Sequence, residues 1–115
     1  MSLPIAVVRE KDWQQLVYDT ARRLGWLAYH PWRSDHSAAG YPDLTMVRGD
    51  RLIFAELKRQ DKNPTPKQQE WLNALTATGR CEVYVWRPDD WDAVLEILQM
   101  QSLPVYDDVS GVRIK

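Results

Sequence analysis

The sequence predicts an α/β fold in which one mixed sheet is flanked by helices, with elements in the order α-β-β-β-α-β-α. Two apolar stretches, 43–47 and 52–58, are separated by the polar tetrapeptide 48–51, a pattern typical of a β-hairpin. A helical pattern follows and leads into another strand pattern. A strand–helix–strand succession of this kind predicts a right-handed crossover with parallel pairing.

Helical spacing and capping residues predict the three helices. Residues 9–24 and 88–98 each carry an apolar stripe at helical spacing. The middle helix starts at Thr65 as N-cap, and Gln68 stands three residues later, as in a capping box. The stripe of the first helix consists of Trp13, Leu16, Val17, Thr20 and Leu24. The remaining strands are predicted at 26–32 and 82–87, with a short strand at 112–114 as an option.

Length and composition indicate a single domain of 115 residues, with its core at about 9–99 and a C-terminal extension at 100–115. No apolar run is long enough to cross a membrane and no secretory signal is visible, so we expect a cytoplasmic protein without a membrane partner. A single cysteine excludes an internal disulfide and a cysteine-rich zinc site. No nucleotide cofactor is expected.

The net charge of -1 does not by itself predict nucleic-acid binding, but the charge is unevenly distributed. Residues 1–88 hold 13 of the 15 Lys and Arg residues, whereas residues 89–115 hold 6 of the 16 acidic residues. A local basic rim can bind phosphate even on an acidic chain, although a solvated mixed surface explains each residue equally well. The candidates for this rim are Arg33, Arg48, Arg51, Arg59, Lys62 and Lys67.

The predicted hairpin brings three charged residues to one end of the sheet. In an antiparallel pair the start of the first strand lies beside the end of the second, so we expect Asp43 close to Glu56 and Lys58. Glu56 and Lys58 are two residues apart and point to the same face. Two carboxylates and a lysine in a partly desolvated position suit a hard divalent cation with oxygen ligands. The alternative is a hairpin with a surface Glu–Lys pair.

Pro42-Asp43, followed thirteen residues later by Glu56-Leu57-Lys58, resembles the PD-(D/E)xK nuclease signature. With its flanks, the chain resembles the small stand-alone VRR-NUC nucleases of phage and bacteria over about residues 10–98. This resemblance implies a restriction-endonuclease-like αβββαβ core. The segments that carry it are Gly40-Tyr41-Pro42-Asp43-Leu44, Phe54-Ala55-Glu56-Leu57-Lys58, Thr65-Pro66-Lys67-Gln68-Gln69-Glu70-Trp71-Leu72 and Val83-Tyr84-Val85-Trp86-Arg87-Pro88.

The resemblance implies a Mg²⁺ or Mn²⁺ site. Asp43 and Glu56 would hold the metal, with the Leu57 carbonyl and Glu10 as further contacts, and Lys58 would position the attacking water. The alternative for Glu10 is an acidic residue favoured by the N-terminal end of the helix dipole.

Further residues are expected to serve the substrate. The resemblance implies that Gln68 points at the site, although it suits the capping box as well and both roles are compatible. Gln14 lies four residues after Glu10 on the same helix face. His30 contacts a phosphate, transfers a proton or is a hydrogen-bonded structural residue. The predicted phosphate contacts are Arg33, Arg59 and Lys62.

These expectations describe a metal-dependent endonuclease that hydrolyses phosphodiester bonds in DNA. The resemblance further implies a homodimer acting on branched DNA such as four-way junctions. The alternatives are a flap, single-strand or nicking nuclease on the same site, a non-catalytic nucleic-acid- or protein-binding module, and an unrelated α/β domain with a chance motif.

Overall fold

The structure is a computed structural model that describes residues 8–31 and 38–102. The predicted α/β class and the predicted order of elements are both confirmed. The elements are α1 (Glu10–Arg23), β1 (Leu27–Tyr29), β2 (Leu44–Arg48), β3 (Arg51–Leu57), α2 (Pro66–Ala77), β4 (Glu82–Trp86), a 3-10 turn (Pro88–Asp90) and α3 (Trp91–Gln99). No helix among these residues is long and apolar enough to cross a membrane.

The four strands form one mixed sheet in the order β1-β2-β3-β4. β2 and β3 form the predicted antiparallel hairpin, in which Leu44 pairs with Ala55 and Arg48 with Arg51. β3 and β4 are parallel, as the strand–helix–strand pattern predicts. The pairing of Leu44 with Ala55 places Asp43, one residue earlier, beside Glu56.

The core lies on one face of the sheet, between the sheet and the helices α1 and α3. Aromatic contacts fix α2 against the other face, since Tyr41 packs edge-on against both Phe54 and Trp71. β3 is therefore a central strand, as its two apolar faces predict. The buried apolar residues include Trp13, Val17, Ala21, Leu44, Met46, Ile53, Ala55, Leu57, Trp86, Val94 and Leu98.

Two details of the predicted elements are wrong. Leu16 is 45% exposed, because the buried stripe of α1 is the narrow i, i+4, i+8 row Trp13, Val17 and Ala21. β1 covers only Leu27–Tyr29 rather than 26–32, since the indole of Trp26 turns into the core. Trp32 and the optional strand at 112–114 lie outside the described residues.

Arg48 and Arg51 do not belong to a phosphate-binding rim. Both guanidinium groups stack on the Trp26 ring, at 4.7 and 4.9 Å from its centroid. Arg51 donates to the Ile97 carbonyl, and both arginines donate to that of Met100. They therefore satisfy carbonyls that the end of α3 leaves without partners, at the opposite end of the hairpin from Asp43.

Candidate active site

Asp43 is held in place by both of its neighbouring strands. It lies directly before β2, and its carboxylate oxygen Oδ2 accepts a hydrogen bond of 2.8 Å from the backbone N–H of Leu57. Its carbonyl oxygen lies 3.0 Å from Nδ1 of His30, which follows β1. Because a carbonyl only accepts, Nδ1 carries the proton in this contact.

Glu56 is the most unusual residue of the sheet. It is 0% exposed, and within the described residues neither of its side-chain oxygens accepts a hydrogen bond. Its nearest cation is Lys58, with Nζ 3.7 Å from Oε2. Burial, and then the charge of Asp43, raise the pKa of Glu56 to about 8. A buried carboxylate of this kind is costly unless something outside the chain partners it.

One backbone carbonyl, that of Trp86, helps to position both Lys58 and the first turn of α1, which carries Glu10. The carbonyl of Trp86 accepts a 3.0 Å bond from the backbone N–H of Lys58 and a 2.9 Å bond from the indole of Trp13. The second bond fixes α1 against the sheet. The negative charge of Glu10, one turn earlier, contributes to the raised pKa of Glu56, as the smallest of its causes.

The residues around Glu56 fit a divalent cation held by few protein ligands. Among residues 8–31 and 38–102, no three acidic, histidine or cysteine side chains converge closely enough to hold an ion alone. The N–H and C=O of one strand residue point to the same neighbouring strand, so the Leu57 carbonyl is directed toward Asp43. Two carboxylates, a carbonyl and water suit Mg²⁺, which keeps several of its waters. The orphaned oxygens of Glu56 are the observation that supports this fit.

A cleft of about 390 Å³ lies directly beside Asp43. Its walls bring together Gln14 from α1, His30 and Gln68, with the segment 38–42 closing one side. Glu56 and Lys58 do not form its wall, since they lie deeper in the sheet. The cleft thus offers hydrogen-bonding groups around one partly exposed carboxylate, that of Asp43.

The position of Gln68 is compatible with both of its predicted roles, as part of the capping box and as a residue that points at the site. The capping box is confirmed, with the Gln68 N–H bonded to Thr65 Oγ1 at 3.2 Å and the Thr65 N–H bonded to Gln68 Oε1 at 2.8 Å. Because Oε1 is used as the acceptor, the side-chain amide of Gln68 has its NH₂ group left to offer to the cleft. Gln68 can therefore donate to an anionic ligand without giving up its cap.

The basic candidates lie on the loop that follows Lys58. Arg59 is partly exposed and Lys62 is exposed. Arg87 holds this loop, donating 3.0 Å to the Lys62 carbonyl and 2.8 Å to the side chain of Asn63. Arg33 lies outside the described residues.

The sequence pattern missed three residues that shape the site. Gly40 has a φ of +84°, and a Cβ there would lie 2.5 Å from the carbonyl group of Lys67. Only glycine fits this approach of the Asp43 loop to α2. The anchoring roles of Trp13 and Arg87, which fix α1 and the loop after Lys58, were not predictable, because the groups that they bond lie far away in sequence.

Comparison with known proteins identifies the fold. Neither family models nor curated proteins match the sequence. A solved structure described as a VRR_NUC domain protein aligns with 84% of this chain and 98% of its own, at a TM-score of 0.61 and 22% identity. The chain has the VRR_NUC domain fold. At this identity the VRR_NUC likeness concerns the fold, and the chemistry must be argued from the residues of this chain.

The raised pKa of Glu56 predicts a specific dependence of stability on pH. Between its ordinary value of 4.5 and about 8, the folded state keeps a proton that the unfolded state has lost. Without metal, the free energy of unfolding should therefore fall by roughly 2–4 kcal/mol as the pH rises from 5 to 8. Urea unfolding in a chelating buffer measures this fall.

Glu56→Gln should remove most of that fall, because glutamine mimics the protonated acid at every pH. Glu96→Gln is the matched control, since Glu96 is exposed on α3, and it should keep the wild-type profile. Parallel profiles for wild type and Glu56→Gln would contradict the prediction.

Proposed function

We propose that the chain is a metal-dependent endonuclease that hydrolyses phosphodiester bonds in DNA. The observation that carries this proposal is the fully buried Glu56 carboxyl group, beside Asp43 and 3.7 Å from Lys58, whose pKa burial and the charge of Asp43 raise to about 8. A domain that only binds DNA gains nothing from a buried acid whose nearest cation, Lys58, lies 3.7 Å away. A hydrolase gains a strong cation site beside the cleft that Asp43 lines.

Within this proposal, Asp43, Glu56 and the Leu57 carbonyl would hold Mg²⁺ or Mn²⁺, and Glu10 would add a direct or a water-mediated contact. The ion would neutralise charge at the scissile phosphate and act as a Lewis acid. Lys58 orients the attacking water and stabilises the negative charge that develops on the phosphate oxygens.

The cleft residues bind and orient the scissile phosphate. The NH₂ groups of Gln14 and Gln68 are suitable donors to its oxygens. His30, through its bond to the Asp43 carbonyl, keeps the carboxylate aligned with the end of β3. In-line attack by the water forms a new P–O bond as the bond to the leaving oxygen breaks. The attacking water gives up a proton to solvent, and the departing oxygen takes one up from solvent.

Recognition would rest on DNA shape and backbone charge. Among the described residues, we identify no recognition helix for insertion into the major groove. Arg59 and Lys62 stand on a rigid loop next to the site, where they can neutralise backbone phosphates. A preference for branched DNA such as a four-way junction follows if two such sites act together.

A homodimer would supply the two sites. β1 is an edge strand, and its side chains Leu27 and Tyr29 are 77% and 58% exposed. Val47, which pairs with Leu27, is also exposed. Exposed apolar side chains grouped on an edge strand favour association with another copy, and two-fold symmetry would match a two-fold junction.

The metal ligands give the most direct test. Asp43→Asn and Glu56→Gln should each lower cleavage by at least about 100-fold, the upper end of what losing even an outer contact to a metal ligand costs. Mn²⁺ should raise the melting temperature of the wild type and not that of either variant. Asp92→Asn, an exposed position on α3, should behave like the wild type. Near wild-type cleavage by Asp43→Asn or Glu56→Gln would refute the ligand assignment.

Thr65 and Gln68 allow the capping role to be separated from the catalytic one. Thr65→Ala and Gln68→Leu each break the capping box and should each cost about 1 kcal/mol of stability. Only Gln68→Leu removes the NH₂ group from the cleft, so only this variant should lower the specific activity. Equal activities in the two variants, at equal stability, would assign Gln68 to capping alone.

Leu27 tests whether association underlies a preference for junctions. The wild type should sediment as a dimer at micromolar concentration and bind a four-way junction more tightly than linear duplex. Leu27→Glu should be monomeric and lose that preference while still cleaving DNA. Leu16→Glu, a matched change at an exposed leucine of α1, should remain dimeric. A monomeric wild type that cuts both substrates equally would leave a general nuclease.

A further inference from the structure

A second concave surface lies on the outer side of α2. This groove of about 420 Å³ is formed by Trp71 and Ala74 of α2 together with Ala39. Lys67 and Glu70 complete its rim, with Lys67 Nζ 3.7 Å from a carboxylate oxygen of Glu70. The groove is therefore an apolar slot with one aromatic ring and one lysine–glutamate ion pair on its rim.

The Trp71 ring is fixed before any ligand arrives. Its indole N–H donates a 3.2 Å hydrogen bond to the Ala39 carbonyl. Tyr41 packs against it edge-on, with centroids 5.0 Å apart and an interplanar angle of 78°. The ring is nevertheless only half-buried. An aromatic side chain held in this way loses little conformational entropy when a flat ligand stacks on it.

The groove adjoins the cleft that Asp43 lines. Ala39 belongs to the wall of both. Gly40 packs so closely against the first turn of α2 that no side chain fits between them. Only the backbone of this short segment separates the two surfaces, so a DNA strand that leaves the cleft over Ala39 reaches Trp71 next.

We propose that the Trp71 groove binds an unpaired nucleobase of the strand whose phosphate occupies the cleft. This inference rests on the proposed function and names its substrate class, DNA that is single-stranded or unpaired beside the cut. A paired base presents only its edge, whereas an unpaired base presents a whole face for stacking. Lys67 attracts the phosphate that flanks this base, and the carboxylate of Glu70 repels that phosphate.

The test uses single-stranded oligonucleotides that carry the fluorescent base 2-aminopurine, in a chelating buffer so that no cleavage occurs. Wild type should quench the fluorescence on binding, because stacking on an indole quenches this base. Trp71→Leu should abolish the quenching and weaken binding by roughly 5- to 150-fold, the range measured for the loss of one stacked base. Trp71→Phe should keep most of both, since it retains an aromatic face while losing the bond to Ala39.

The charges on the rim of the groove predict a variant that binds the oligonucleotide more tightly. Glu70→Gln removes the carboxylate that repels the flanking phosphate and frees Lys67, so it should tighten binding. Glu96→Gln, on the exposed face of α3, should leave binding unchanged. Circular dichroism and a melting curve verify the fold of each variant. The quenching by wild type is informative even if Trp71→Leu fails to fold.

The outcomes separate this inference from the proposed function. Metal-dependent cleavage without quenching by wild type, or with equal cleavage of flap DNA by wild type and Trp71→Leu, overturns the stacking site and leaves the nuclease intact. Quenching that depends on Trp71, in a protein that cleaves no DNA with any divalent cation, supports the stacking site and overturns the nuclease.

Discussion

Two buried glutamates in the same sheet have opposite surroundings, and the structure at the site end depends on that contrast. Glu82 is held by a two-point ion pair with Arg51, with N–O distances of 2.6 and 2.8 Å, and accepts a further bond from Tyr84. Glu56 is equally buried and accepts no hydrogen bond among the described residues. Hydrogen bonds and an ion pair thus offset the burial of Glu82, which is structural. The burial of Glu56, which lies beside Asp43, is not offset in this way.

The cost of burying Glu56 with only the 3.7 Å contact to Lys58 must be offset elsewhere, because a folded protein has a small margin of stability. The opposite end of the hairpin provides part of that offset. Arg48 and Arg51 enclose the Trp26 ring, and the indole of Trp26 donates to the Leu98 carbonyl at 3.0 Å. These contacts attach the end of α3 to the hairpin.

Local patterns were sufficient to predict the hairpin, the capping box of α2 and the proximity of Asp43 to Glu56, because each depends on spacing within a short stretch of chain. The roles of Arg48 and Arg51 were not predictable in this way. Strand alternation gives the face on which a side chain lies, but not the element packed on that face. The two arginines serve the end of α3, which lies almost fifty residues away in sequence. The hydrogen bond from the Trp13 indole to the Trp86 carbonyl was not predictable for the same reason.

The segment from Ala39 to Asp43 links all parts of the site. The Ala39 carbonyl accepts a hydrogen bond from the Trp71 indole. The Tyr41 hydroxyl bonds that of Thr45 at 2.9 Å. The Asp43 carboxylate accepts from the backbone N–H of Leu57. Five consecutive residues therefore touch α2, β2 and β3, and they separate the cleft from the groove. If the two proposals hold, a base in the groove and an ion beside Asp43 would both contact this short segment of backbone. The position of the substrate strand would then affect the metal site directly, without an additional element that reads base sequence.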